Sequence, residues 1–166
     1  KYPVTYRQYH AFLEAEDGFN NSDWWEDLCF QVDKPGRQFN RCDNHPAENL
    51  CWLEAMAFCR WLSARLGYEV RLPNEWEWQQ AATGGNPANV YPWGPEWDGN
   101  CVNTYESKLS RTTAVGLYPQ GASPVGALDM SGNVWEWCLN EYDKPQNVTI
   151  SGYSRRVVRG GSWSSY

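Results

Sequence analysis

Histidine is almost missing from this chain of 166 residues. Only His10 and His45 occur, so the chain cannot by itself build a three-histidine iron site. No Cys-x-x-Cys pair occurs among its six cysteines, Cys29, Cys42, Cys51, Cys59, Cys101 and Cys138. That absence removes zinc ribbons and thioredoxin-like redox chemistry. Positive charge is short too, with 14 Lys and Arg against 20 Asp and Glu and a net charge of −6. A phosphate-backbone partner is therefore disfavoured, and no nucleic acid is expected. The surplus of carboxylates is compatible with cation binding, but it serves equally to keep a surface soluble. There is no long apolar run, and a mean hydropathy of −0.71 excludes a membrane span. No N-terminal stretch reads as a secretory leader. Irregularly spaced cysteines suit a reducing cytoplasm, where most would serve as small buried hydrophobes.

Aromatic residues are plentiful, with 11 Trp, 10 Tyr and 5 Phe. Indole rings fill core volume with few residues, so a fold poor in regular structure can still be well packed. The length suits one domain, taken as residues 1–166. Thr5 to Ala15 reads as a helix, with Thr5 and Gln8 forming a capping box and Tyr6, Tyr9, Phe12 and Leu13 an apolar stripe. His10, beside that stripe, reads as structural. Asp17 to Asn49 reads as a long packed loop anchored by Trp24, Trp25 and Phe30.

The clearest helix spans Trp52 to Leu66. Trp52, Ala55, Met56, Cys59, Leu62 and Leu66 recur at helical spacing, and Gly67 supplies the stop. Cys51 and Cys59 on one helix lie about 12 Å apart along its axis and cannot pair. Glu69 to Arg71 reads as a short strand. Asn74 then caps a second compact helix, with Glu77 at the capping-box position and Gly84-Gly85 at its end. From Gly84 to Gly126 the chain reads as loop, and that much irregular backbone needs bound cations or side-chain hydrogen bonds to hold it. Strands are expected at Ala114–Tyr118, Val134–Cys138 and Arg156–Arg159. The class is α+β, with two or three helices, short antiparallel strands and large loops.

Two Trp-Glu-Trp triplets fall in different settings. On a helix, Trp76 and Trp78 are about 200° apart and cannot share a face. On a strand, Trp135 and Trp137 point one way and Glu136 the other. A strand that buries both indoles leaves Glu136 facing a polar loop or an ion.

The run from Arg71 to Trp78 is followed by Ala81-Ala82, Tyr91-Pro92-Trp93-Gly94, Asn103-Thr104, Gly132-Asn133-Val134-Trp135-Glu136-Trp137 and Arg159-Gly160-Gly161-Ser162-Trp163. In this order the sequence closely resembles the formylglycine-generating enzyme (sulfatase-modifying factor) family, and Tyr2 to Tyr9 resembles that family's opening. The resemblance implies an elaborated C-type-lectin-like domain. It also implies that the family's variable or catalytic segment follows Tyr166.

Several activities are implied by the family. Some members are copper-dependent oxidases that convert a sulfatase cysteine to formylglycine. Others are accessory domains of iron-dependent sulfoxide synthases, whose iron-binding histidines lie in another domain. Still others are ligand-binding proteins, including variable proteins diversified by retroelements, and modules fused to kinases or signalling ATPases. The oxidase cysteine pair would lie beyond the Arg159–Trp163 motif, so none of the six cysteines here inherits that role. The resemblance implies Ca²⁺ at two loops. The first would use Asn103, Thr104, Glu106, Ser107 and Leu109, although the family's aspartate has no counterpart there. The second would use Ser131, Asn133, Val134 and Glu136. Ca²⁺ accepts six to eight oxygens, many of them loop carbonyls, but both asparagines could instead satisfy turn backbones. The function expected is a calcium-stabilised scaffold that binds a protein or small ligand. Copper would enter only under the oxidase alternative.

Overall fold

In the computed structural model, which describes residues 1–166, each helix starts where a side chain can cap it. Helix α1 (Tyr6–Glu14) is opened by the expected box, with Gln8 N–H donating to Thr5 Oγ1 at 3.3 Å and Thr5 N–H to Gln8 Oε1 at 2.9 Å. Helix α2 (Trp52–Leu66) begins with Cys51 N–H on the Glu54 carboxylate at 2.7 Å and stops at Gly67, whose φ of +73° only glycine adopts without cost. Helix α3 (Glu75–Thr83) has reciprocal Asn74 and Glu77 bonds, both 2.9 Å. The sheet is a single antiparallel pair, β1 (Glu136–Glu141) with β2 (Arg156–Arg159), whose register slips between Trp137 and Glu141.

Aromatic side chains build the first core between α1, α2 and the loop that follows α1. Tyr9, Phe12, Phe19, Trp25, Ala57, Phe58 and Trp61 are all buried. Edge-to-face pairs such as Phe12–Phe58 (5.8 Å, 75°) and Phe19–Trp25 (5.2 Å, 82°) match the geometry favoured by ring quadrupoles. A second core joins α3 to the sheet through Trp78, Ala82, Met130, Cys138 and Val157. Helix α2 serves both regions: Trp52 Nε1 donates to Cys138 O at 2.9 Å, and the Arg156 guanidinium lies 3.9 Å from the Trp52 ring centroid. The six cysteines are unpaired; Cys59, Cys101 and Cys138 are buried, while Cys42 and Cys51 are exposed.

Four expectations need correction. Glu69–Arg71 is not a strand, because Ser63 Oγ bonds both Val70 N (2.8 Å) and Val70 O (3.0 Å) and so replaces a ladder partner. Ala114–Tyr118 is a turn, held by Leu117 N–H on Ala114 O (3.3 Å) and Gly116 N–H on Asp129 Oδ2 (2.6 Å). Phe30 does not anchor its loop; it is exposed and stacks on Tyr153. Leu66 is exposed as well, since α2 spends its burial on Ala57, Phe58 and Trp61 in addition to Trp52, Met56 and Cys59.

Loops carry most of the backbone pairing outside the helices. Of 64 backbone hydrogen bonds, 38 lie outside the regular elements, so side chains that fix loops matter as much as caps. Parallel bridging of Asn103 with Gly132 is continued by Asn133 N–H on Asn103 O at 2.8 Å, Gly132 N–H on Gly160 O at 2.8 Å and Trp163 N–H on Asn133 O at 3.0 Å. These bonds draw the 103–113 loop, the start of β1 and the chain's last residues into one corner.

Candidate functional site

The parity of β1 sets this corner's chemistry. Glu136, Cys138 and Asn140 face α3: Trp78 Nε1 donates to Glu136 Oε2 at 2.7 Å, Cys138 lies in the second core, and Asn140 Oδ1 accepts Glu75 N–H at 2.8 Å. The two indoles therefore face outward, opposite to the expectation that this strand buries them. Trp135 is 53% exposed. The physical reason is that Trp78 already fills the space beneath β1 and its indole N–H needs a buried acceptor, which Glu136 supplies. Positive φ at Gly132 (+75°) and Asn133 (+64°) turns the chain just before the strand.

An open cleft of about 370 Å³ lies on this outward face. Ala47, Leu50, Val134, Trp135, Trp137, Val158 and Trp163 form its apolar lining, with Glu48, Asn133, Ser162 and Ser164 among the polar groups. Trp137 is fixed by its Nε1–H bond to Leu50 O at 2.8 Å. Ser162 Oγ lies 3.0 Å from Ser164 Oγ and 3.2 Å from Ser165 Oγ, which orders the edge next to Trp163. The cleft is thus a set of indoles held on a strand pair and a bonded turn.

Burial governs the titratable groups behind it. Burial pushes the Glu136 carboxyl up to about 7, against the opposing Trp78 hydrogen bond and with a further contribution from Asp129. Asp129 is itself raised by burial, although Gly116 N–H bonds it. The Cys59 thiol is pushed to about 11 and the Cys138 thiol to about 12, in each case chiefly by burial. Both stay protonated near neutrality and are poor nucleophiles or copper ligands. The histidines are separate: His10 Nδ1 sits 3.3 Å from Glu14, and His45 Nδ1 lies between Asn40 Nδ2 (2.7 Å) and Thr112 Oγ1 (3.2 Å).

The structure gathers most of the first expected cation set. Ser107 Oγ lies 2.8 Å from Asn103 Oδ1 and 2.7 Å from the Thr104 carbonyl, so three oxygens converge. Thr104 Oγ1 donates to Glu106 Oε2 at 2.6 Å, and that hydroxyl holds the Glu106 carboxyl below its usual range. Leu109 follows in the same loop, exposed. These hard oxygen donors suit Ca²⁺. In the second set, Asn133 Oδ1 accepts Thr113 N–H at 2.9 Å and its Nδ2 donates to Thr113 O at 3.3 Å, whereas Glu136 is held by Trp78. Ser131 and Val134 are half-buried beside them. The two asparagines also meet, Asn103 Nδ2 lying 3.5 Å from Asn133 Oδ1 and donating to Arg111 O at 2.9 Å. They satisfy turn backbones, as side-chain hydrogen bonding of the loops requires.

Sequence reasoning missed Leu50, Val158 and Trp163 as cleft residues. The clue was Val158, which alternates with the core residue Val157 on β2, and so must share the outward face with Trp137, its register partner.

Comparison with known proteins fits this architecture. A family model for the sulfatase-modifying factor enzyme 1-like domain matches residues 1–166. The chain is 33% identical over 153 residues to the inactive C-alpha-formylglycine-generating enzyme 2 of Mus musculus, covering 84% of this chain and 46% of that protein. It is 31% identical over 196 residues to hercynine oxygenase of Mycobacterium tuberculosis, covering 98% of this chain and 44% of that protein. The chain thus spans less than half the length of these relatives. Treponema denticola variable protein 1 superposes with a TM-score of 0.69 at 22% identity, over 99% of this chain and 72% of that one. No helix is long and apolar enough to cross a membrane. With its three helices, small antiparallel sheet and large loops, the chain belongs to the sulfatase-modifying factor enzyme 1-like family and has the C-type-lectin-like fold.

Proposed function

We propose that this domain is a calcium-stabilised scaffold that binds a protein or small ligand in the Trp135 cleft. The observation that carries this reading is the outward turn of β1, which leaves Trp135 half exposed beside Trp137 and Trp163. Rigid, partly exposed aromatic rings on fixed backbone are the usual energetic anchors of an interface. The names of two similar proteins, one an inactive formylglycine-generating enzyme and one a variable protein, suit a surface that presents residues. Calcium would sit at Asn103, Thr104, Glu106, Ser107 and Leu109. At Ser131, Asn133, Val134 and Glu136 an ion would have to draw Glu136 away from Trp78. Bound there, Ca²⁺ supplies charge that ties loops together, and the chain's own asparagines orient those loops.

Peptides selected from a displayed random library against the chain test this reading. Binders are expected to lose at least about tenfold in affinity on Trp135→Ala or Trp163→Ala, and EDTA is expected to lower the melting temperature by several degrees. Binders indifferent to both substitutions contradict the cleft, and an unchanged melt in EDTA retires the ion. A second reading, an accessory domain of a sulfoxide synthase, is favoured by the hercynine oxygenase likeness over 98% of this chain. For the oxidase alternative, formylglycine formed from a cysteine-containing sulfatase peptide with copper and oxygen would displace the scaffold reading.

A further inference from the structure

Helix α3 turns Trp78 and Ala82 into the second core, which places Trp76, Gln79, Gln80 and the buried Thr83 at i, i+3, i+4 and i+7 along another face. The chain after Gly84 folds back beside them. Asn86 N–H donates to Thr83 O at 3.2 Å, and Asn89 Nδ2 donates to the same carbonyl at 3.0 Å. Gly85, at φ +76°, runs so close to Gln80 that a Cβ there would lie 2.6 Å from Nε2. Between helix and returning loop is an open cleft of about 400 Å³ that shares no residue with the Trp135 cleft.

The chemistry of this cleft is narrow. No carboxylate, ammonium or guanidinium lines it, although the chain as a whole carries a net charge of −6. Arg159, which reaches its wall, is held by Gln79 Oε1 and lies over the Trp78 ring. The cleft runs along α3 from Trp76 in its first turn to Thr83, its last residue, whose carbonyl is already taken by Asn86 and Asn89. Trp76 is 60% exposed and pairs with no other ring or guanidinium, so it offers apolar ring surface to solvent. The Gln80 carboxamide offers both a donor and an acceptor, and Gln79, whose Oε1 takes Arg159, offers its N–H donors.

A hydroxyl also plays both roles. A pyranose ring carries a face of C–H groups that stacks on an indole, while its hydroxyls point sideways toward such amides. Charged ligands lack a counter-charge here, and purely apolar ones would leave the amides unpartnered. We propose that this cleft is a binding site for an uncharged saccharide, with Trp76 stacking on the sugar ring and the Gln79 and Gln80 carboxamides meeting its hydroxyls. The site stands independently of the Trp135 cleft.

Saturation-transfer difference NMR on the full chain with glucose, galactose, mannose and N-acetylglucosamine tests the proposal. At least one sugar is expected to receive saturation at its ring C–H protons. Trp76→Ala is expected to weaken that binding about tenfold, Gln80→Ala to weaken it less, and Trp76→Phe, which keeps an aromatic face, to retain most of it. Circular dichroism confirms that each variant is folded, as expected for an exposed position. Adenosine serves as a neutral flat-base probe. No transfer to any of the four sugars, transfer to the adenosine base alone, or sugar binding indifferent to Trp76→Ala would each overturn the assignment.

Discussion

Glu54→Ala is expected to destabilise the fold by about 3–5 kcal/mol, because it leaves three hydrogen-bond donors without their acceptor at about 1–3 kcal/mol each. Glu54 is 2% exposed. Its Oε1 accepts Tyr9 Oη–H at 2.9 Å and Gly36 N–H at 2.7 Å, while Oε2 accepts Cys51 N–H at 2.7 Å. One carboxylate thus joins α1, the following loop and the start of α2. Burial, reinforced by the Glu54 charge, holds the Tyr9 phenol far above its ordinary range, so it remains a donor. Alanine strands all three donors, of which the Tyr9 hydroxyl lies fully buried in the first core. Glu54→Gln keeps one acceptor oxygen, which can serve either the Tyr9 and Gly36 donors or the Cys51 N–H, and should lose less. Urea unfolding measures both, and a loss below about 1 kcal/mol for the alanine variant would show that another group satisfies those donors.

Asn133→Ala is expected to cost about 3 kcal/mol through lost hydrogen bonds and backbone strain. Asn133 is 1% exposed. It bonds both the N–H and the carbonyl of Thr113 and lies against Asn103, so its loss unties the 103–113 loop from the start of β1. Its φ of +64° adds a second term, since asparagine tolerates that region better than alanine. Asn133→Gly relieves the strain but not the lost bonds, and should be less damaging than alanine by about 1 kcal/mol. Thermal unfolding of the two variants separates the terms; equal stability of both to the parent would mean that the asparagine is not what holds this corner.

The helices were legible because their signals are local. Thr5, Asn74 and Glu77 cap within three residues of themselves, and Gly67 stops α2 by its own backbone freedom. The separation of Trp76 from Trp78 followed from helical geometry alone, and one is exposed while the other is buried. The faces of β1 were not legible, because alternation says which side chains travel together and not which side is inside. That choice is made by Trp78, 58 residues away, whose indole N–H takes Glu136. The supposed strands at Glu69–Arg71 and Ala114–Tyr118 failed for a like reason: Ser63 and Asp129 satisfy their backbones before any ladder can. The family motifs located Asn103 and Asn133 and turn chemistry allowed both to bond backbone, but the partners, Arg111 for one and Thr113 for the other, are set by the fold.

The exposed indole face can be examined through the stability of Trp135→Ala, measured by denaturant unfolding alongside the parent chain. If Trp135 stands on the surface of the cleft, the variant stays within about 1 kcal/mol of the parent, as surface substitutions do. A loss of about 3 kcal/mol or more, typical of a truncated core aromatic, would place the ring inside the protein and remove the cleft on which the binding function rests.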